Sequence, residues 1–273
     1  MNINLDNYKY YKNIEIEMKL SDKIENKRFF WFDNFAFFFN FCKIYNKKGE
    51  ELTSNYFKEK AENEKFKIII NKDLSICEEI FRQNSATEIK INKYSNIYNN
   101  NIINAKDMFY MCFYLIELDL STFNTENVTD MSHMFGGCLH LKKLKISNFN
   151  TKNVKNMRAM FSDCGSLTEL NLSNFNTSKV TDMSYMFSGC DELKIINLSS
   201  FNTENVIDMG GMFFNCTALE ELDLSNFGTE KLEYTYDMFF GCKSLKKLIF
   251  NYKKDKIKSD SDMFRDCSIN LNK

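Results

Sequence analysis

The 273-residue sequence contains no proline. Its turns therefore rely on Asn, Asp, Ser and Gly, the other residues that fold a chain back on itself. An excess of one charge is equally missing: 36 basic residues face 37 acidic ones, for a formal net charge of -1. That balance removes the electrostatic reason to expect DNA, RNA or an anionic membrane as the main partner. Histidine is scarce. His133 and His140 are the only two, and no glycine-rich phosphate loop or nucleophile elbow accompanies them. They read as surface residues. The N-terminal stretch MNINLDNYKYYKNIEIEMKL has neither the basic start nor the apolar core of a secretory signal. The densest apolar block, FFWFDNFAFFFNF at residues 29–41, is broken by Asp33 and Asn34. It falls short of the ~20 residues a spanning helix needs, so it reads as buried aromatic strands. No integral membrane segment is expected. What remains is 44% hydrophobic, ample for a core.

Seven cysteines mark a period: Cys112, Cys138, Cys164, Cys190, Cys216, Cys242 and Cys267, spaced by 26 residues except for a last interval of 25. Self-similarity at this length is the signature of stacked architectures. A Met-Phe pair precedes the cysteines, as in Met134-Phe135, Met160-Phe161, Met186-Phe187, Met212-Phe213 and Met238-Phe239. Three aliphatic positions follow, such as Leu167, Leu170 and Leu172, then a Phe-Asn-Thr segment such as Phe175-Asn176-Thr177. Val154, Val180 and Val206 then lead to Met157, Met183 and Met209. Leu170 and Leu172, two apart between polar residues, predict a short strand with one face inward. Met131, Met134, Phe135 and Cys138 fall at i, i+3, i+4 and i+7, which predicts one face of a helix. Asp130, Asn156, Asp182 and Asp208 stand where they could cap its start. Gly137, Asp163, Gly189, Asn215, Gly241 and Asp266 stand where a left-handed residue could close it.

A lone unit of this size buries too little apolar surface to offset the entropy of ordering it, so the units must stack and fold together. The expected architecture is an α/β solenoid: a leucine-rich-repeat-like array with a parallel β-sheet and short helices, of about seven units over residues 78–273. A small β-rich N-terminal cap is expected over residues 1–77, where Ile14, Ile16, Met18 and Leu20 alternate and residues 66–70 read as another strand. An imperfect first unit carries Ile80-Phe81 in the Met-Phe place and Ile89 and Ile91 in the strand. Near the far end, Tyr234 and Thr235 replace the cap and methionine, and Lys253-Lys254-Asp255-Lys256 replaces the Phe-Asn-Thr turn, charges suited to a last unit facing water.

The unit Leu170-Asn171-Leu172-Ser173-Asn174-Phe175-Asn176-Thr177, continuing through Val180-Thr181-Asp182-Met183 to Met186-Phe187-Ser188-Gly189-Cys190, resembles the BspA-like leucine-rich repeat surface-protein family. That family holds many bacterial surface proteins and lipoproteins, with related arrays in protists. The resemblance runs from about residue 78 to 271. It implies a leucine-rich-repeat-like fold and roles in binding or adhesion, and no catalytic mechanism. The sequence carries no export signal, lipoprotein cysteine or anchor, so the expected location is cytoplasmic, with the cell surface as the alternative.

The cysteines lack the local C-x2-C pairs of structural zinc sites and share a face with core methionines, so they read as small apolar core groups. The Met-Phe stripe reads as core. The Asp series is broken by Asn156 and lacks the glycine-rich nonapeptide of calcium-binding β-solenoids, so capping is its expected role. No metal or cofactor is expected. Specificity is expected at the solvent-side strand positions, which change from unit to unit: Glu117 and Asp119, Lys143 and Lys145, Glu169 and Asn171, Ile195 and Asn197, Glu221 and Asp223, Lys247 and Ile249. Neighbouring strands lie ~4.8 Å apart, so opposite charges should meet across the ladder. A second patch is Phe214 and Phe240, which become neighbours if units superpose. They either anchor an interface or pack on the irregular 234–236 segment. The expected function is a non-enzymatic module or scaffold that binds a protein partner through the strand face. The alternative is a cell-surface or secreted adhesin. Catalysis, a third option, would need polar groups clustered in the first 75 residues.

Overall fold

The computed structural model describes residues 14–20, 42–46, 48–51, 65–70, 81, 86–94 and 102–269. The aromatic block at 29–41 lies outside them. Strands β1 (Ile14–Leu20), β2 (Cys42–Tyr45), β3 (Lys65–Ile70), β4 (Ala86–Tyr94), β5 (Glu117–Asp119) and β6 (Lys143–Lys145) form one sheet in the order β2-β3-β1-β4-β5-β6. Strands β7 (Glu221–Asp223) and β8 (Lys247–Ile249) form a separate pair. The apolar alternation in β1 and β3 marks both strands, which pair antiparallel with Ile16 opposite Ile68. Strand β4 changes the rule: it is antiparallel to β1 and parallel to β5, and β5 is parallel to β6, with Ile89, Leu118 and Leu144 in register. From β4 onward each period returns the chain in the same direction, and parallel pairing follows. The chain is thus a repeat array of short strands and turns.

The expected helices are not there. Among the described residues the one helical element is a single 3₁₀ turn, Lys254–Lys256. Two left-handed residues per unit are the reason. One precedes the cysteine (Gly137, Asp163, Gly189, Asn215, Gly241, Asp266), as its composition suggests. The other comes four residues earlier, at Asp107, His133, Ala159, Tyr185, Gly211, Asp237 and Asp262. Left-handed residues occur singly and end a right-handed helix. Backbone donors divide accordingly. Met131, His133, Phe135 and Gly137 donate to the carbonyls of Asn156, Arg158, Met160 and Ser162 in the next unit, at 3.0, 2.8, 2.9 and 2.7 Å. Met134, Gly136 and Cys138 close three-residue turns on Met131, His133 and Phe135. Successive tight turns return side chains to one side at nearly helical spacing, so the same residues are buried in either conformation. The capping chemistry survives in altered form. Asp130, Asn156, Asp182 and Asp208 each accept the N–H two residues on, at 2.8, 3.0, 2.9 and 2.7 Å, and so start a turn.

Four rows of side chains lock the units together. Phe81, Phe109, Phe135, Phe161, Phe187, Phe213 and Phe239 are buried and stack in sequence, Phe161 on Phe187 with centroids 5.8 Å apart and planes 2° from parallel. From Cys138 to Cys242 each buried thiol donates to the phenylalanine carbonyl 29 residues earlier, as in Cys138 to Phe109 (3.2 Å), Cys164 to Phe135 (3.2 Å) and Cys190 to Phe161 (3.3 Å). Burial raises the pKa of these thiols well above their ordinary value. Threonine explains the Phe-Asn-Thr string. Thr151 Oγ1 donates to the Asn176 carbonyl at 2.9 Å and accepts the Asn176 N–H at 2.8 Å, and Thr125 and Thr177 do the same to Asn150 and Asn202. The asparagines before Phe149, Phe175 and Phe227 reach back one unit, as from Asn174 Nδ2 to the Phe149 carbonyl at 2.8 Å. In the irregular unit, Thr235 takes the methionine's place and is buried, its hydroxyl without a partner among the described residues.

Candidate protein-binding face

On each strand the central leucine turns toward the core and its two neighbours turn outward, because side chains alternate across a strand. Leu118 and Leu222 are buried, whereas Glu221, Asp223, Lys143, Lys145 and Lys247 are exposed. Opposite charges meet across the ladder as the register requires. Lys143 Nζ lies 2.5 Å from Glu117, Lys145 Nζ 3.1 Å from Asp119 and Lys247 Nζ 3.9 Å from Glu221. The hydrogen bond to Glu117 raises the Lys143 pKa. Burial raises that of Asp119, but hydrogen bonds from Ser121 and Lys145 outweigh it and leave the carboxyl below its ordinary value.

The two outward columns do different work. Asp119, Asn171, Asn197 and Asp223 each accept the N–H of the serine two residues on, at 3.0, 3.0, 3.0 and 2.9 Å, and close the turn that ends the strand. Their polarity has a local structural use. The other column, Glu117, Lys143, Glu169, Ile195, Glu221 and Lys247, forms no such turn, and its residue type changes freely along the array.

The strand ladder opens in the middle. No backbone hydrogen bond between described residues joins the 169–171 row to residues 143–145 or to residues 195–197. On the other side of the same units bonding is unbroken, with Met157 donating to Asp182 at 3.0 Å and Met183 to Asp208 at 2.9 Å. Over these rows the outward face forms a groove of about 680 Å³ lined by residues that include Lys142, Lys143, Lys145, Glu169, Leu170 and Ile195. Ile195 is 67% exposed. Sequence reasoning named Lys143, Lys145, Glu169 and Ile195 but missed Lys142, Leu144 and Leu170.

The second patch is assembled as superposition of the units requires. Phe214 and Phe240 are half-buried and stacked, centroids 4.9 Å apart, with the Arg265 guanidinium 5.6 Å over Phe240. Tyr236 instead leans on Tyr185, centroids 6.2 Å apart, and burial first, then Asp208, pushes its phenol pKa up to about 12. His133 is half-buried, edge-on to Tyr110 at 5.6 Å; burial lowers its pKa and Asp107 works against that. His140 is exposed.

A family model described as "Mycoplasma protein of unknown function, DUF285" matches residues 75–194 and, in a second overlapping match, residues 166–273. Together the two matches cover well over half of the chain. The protein belongs to this family. DUF285 membership covers every unit with the inter-unit bonds described above. No curated protein and no solved structure matches the chain. Among the described residues, no helix is long and apolar enough to cross a membrane.

Proposed function

We propose that this DUF285 protein is a non-enzymatic interaction scaffold: a leucine-rich-repeat-like solenoid of the BspA-like type whose strand face binds a protein partner. The observation that carries this reading is how the side chains divide between tasks. The Phe, Cys, Met, Thr and Asn of each unit are used in the core or in bonds to the next unit. The column from Glu117 to Lys247 carries residues of changing type that close no turn, and Lys145 in the column beside it closes none either. Lys143 and Lys145 have side chains 69% and 67% exposed, and pairs so exposed add little to stability. Their variation therefore suits recognition. Charges of both signs in one column favour a protein partner with complementary patterning over nucleic acid.

In affinity capture from the native source, Lys143→Glu combined with Lys145→Glu is expected to reduce partner recovery by about tenfold or more, because a reversed charge is placed against the partner. The melting temperature should stay within about 2 °C of the parent. Unchanged recovery would remove this face from the binding site. Display on the cell surface as an adhesin is the second reading, favoured by the Asn-Thr…Met-Phe-x-x-Cys string of the repeat. Protease shaving of intact cells distinguishes them, since only a displayed protein is removed.

A further inference from the structure

We propose that the groove over residues 143–145, 169–171 and 195–197 is a docking site for an extended acidic peptide, whose carboxylates meet Lys142, Lys143 and Lys145. The inference rests on the protein-binding reading above and specifies the partner's chemistry. Two features of the groove support it.

The first is charge. Three lysines line the groove against one carboxylate, Glu169. Lys142 takes part in no ion pair between described residues, and the carboxylates that hold Lys143 and Lys145 belong to the preceding strand, β5. An incoming carboxylate can share those ammonium groups, whereas a basic segment meets like charge. The second is the apolar lining. Leu144 and Leu170 are half-buried, and Ile195 stands 67% exposed beside them. Side chains of an extended peptide alternate in direction, so a segment alternating acidic and aliphatic residues matches both surfaces at once.

Fluorescence anisotropy on the full chain tests this with two labelled octapeptides: alternating Glu-Val and alternating Lys-Val. The Glu-Val peptide should bind saturably and the Lys-Val peptide should not. Lys142→Glu with Lys145→Glu, and separately Ile195→Asp, should each weaken the Glu-Val peptide by about tenfold without moving the melting curve. The proposal is overturned if the Glu-Val peptide fails to bind at millimolar concentration, or if the Lys-Val peptide binds equally well. Failure here, combined with partner recovery that still depends on Lys143 and Lys145, would remove the peptide groove and leave the strand-face reading standing. Loss of that dependence would remove both.

Discussion

Phe187→Ala is expected to lower the folding free energy by about 3–5 kcal/mol in urea denaturation followed by circular dichroism. The ring is fully buried between Phe161, at 5.8 Å, and Phe213, at 5.6 Å, in the middle of the stacked row. Removing it leaves a cavity and strips one ring face of packing from both neighbours. The array makes the effect larger than a local loss. Each unit is bonded to the next, so stability is a sum of unit terms and interface terms. A hole at a central interface uncouples the two ends, and the single transition should broaden or split. Replacement of an exposed strand residue such as Lys247 by Ala should do neither.

Gly211→Ala is expected to cost about 2–3 kcal/mol, read by the same titration. Gly211 has φ +61°, where a side chain is disfavoured by roughly 1–2 kcal/mol. A Cβ there would also collide with the Tyr185 ring, which lies over the glycine. A helix across Met209 to Cys216 makes the opposite prediction, because glycine to alanine in a helix interior stabilises by about 1 kcal/mol. The sign of the change therefore distinguishes paired turns from the helix that the apolar spacing suggests.

That disagreement shows where the sequence is informative and where it is silent. Burial was legible: Met131, Met134, Phe135 and Cys138 are buried as their spacing indicates, and Ile14 to Leu20 is a strand. Backbone conformation was not, because two tight turns and two helical turns place the same side chains inward. What separates them is where Met131 and His133 send their N–H groups, and no side chain records it. Composition marks left-handed backbone at Gly137 and Gly189 but not at Ala159 or Tyr185, where the bonds to adjacent units impose it. Four residues of the candidate face also have a structural use. Asp119, Asn171, Asn197 and Asp223 stand two residues before a serine, a turn-closing arrangement already visible in the sequence. The groove left a partial trace. Glu117 with Lys143 and Glu221 with Lys247 clip adjacent rows together, whereas Glu169 is followed one period later by Ile195, which offers it no counter-charge.

Iodoacetamide treatment of the native protein, read residue by residue by peptide mass spectrometry, tests the stacked array most directly. Cys138, Cys164, Cys190 and Cys216 are fully buried with raised pKa values, so they become reactive only through opening of the array. They should remain unmodified while the half-buried Cys267 is alkylated, and all should react once denaturant unfolds the chain. Alkylation of those four in the native protein at the rate of Cys267 would contradict an interior built by piling one period on the next.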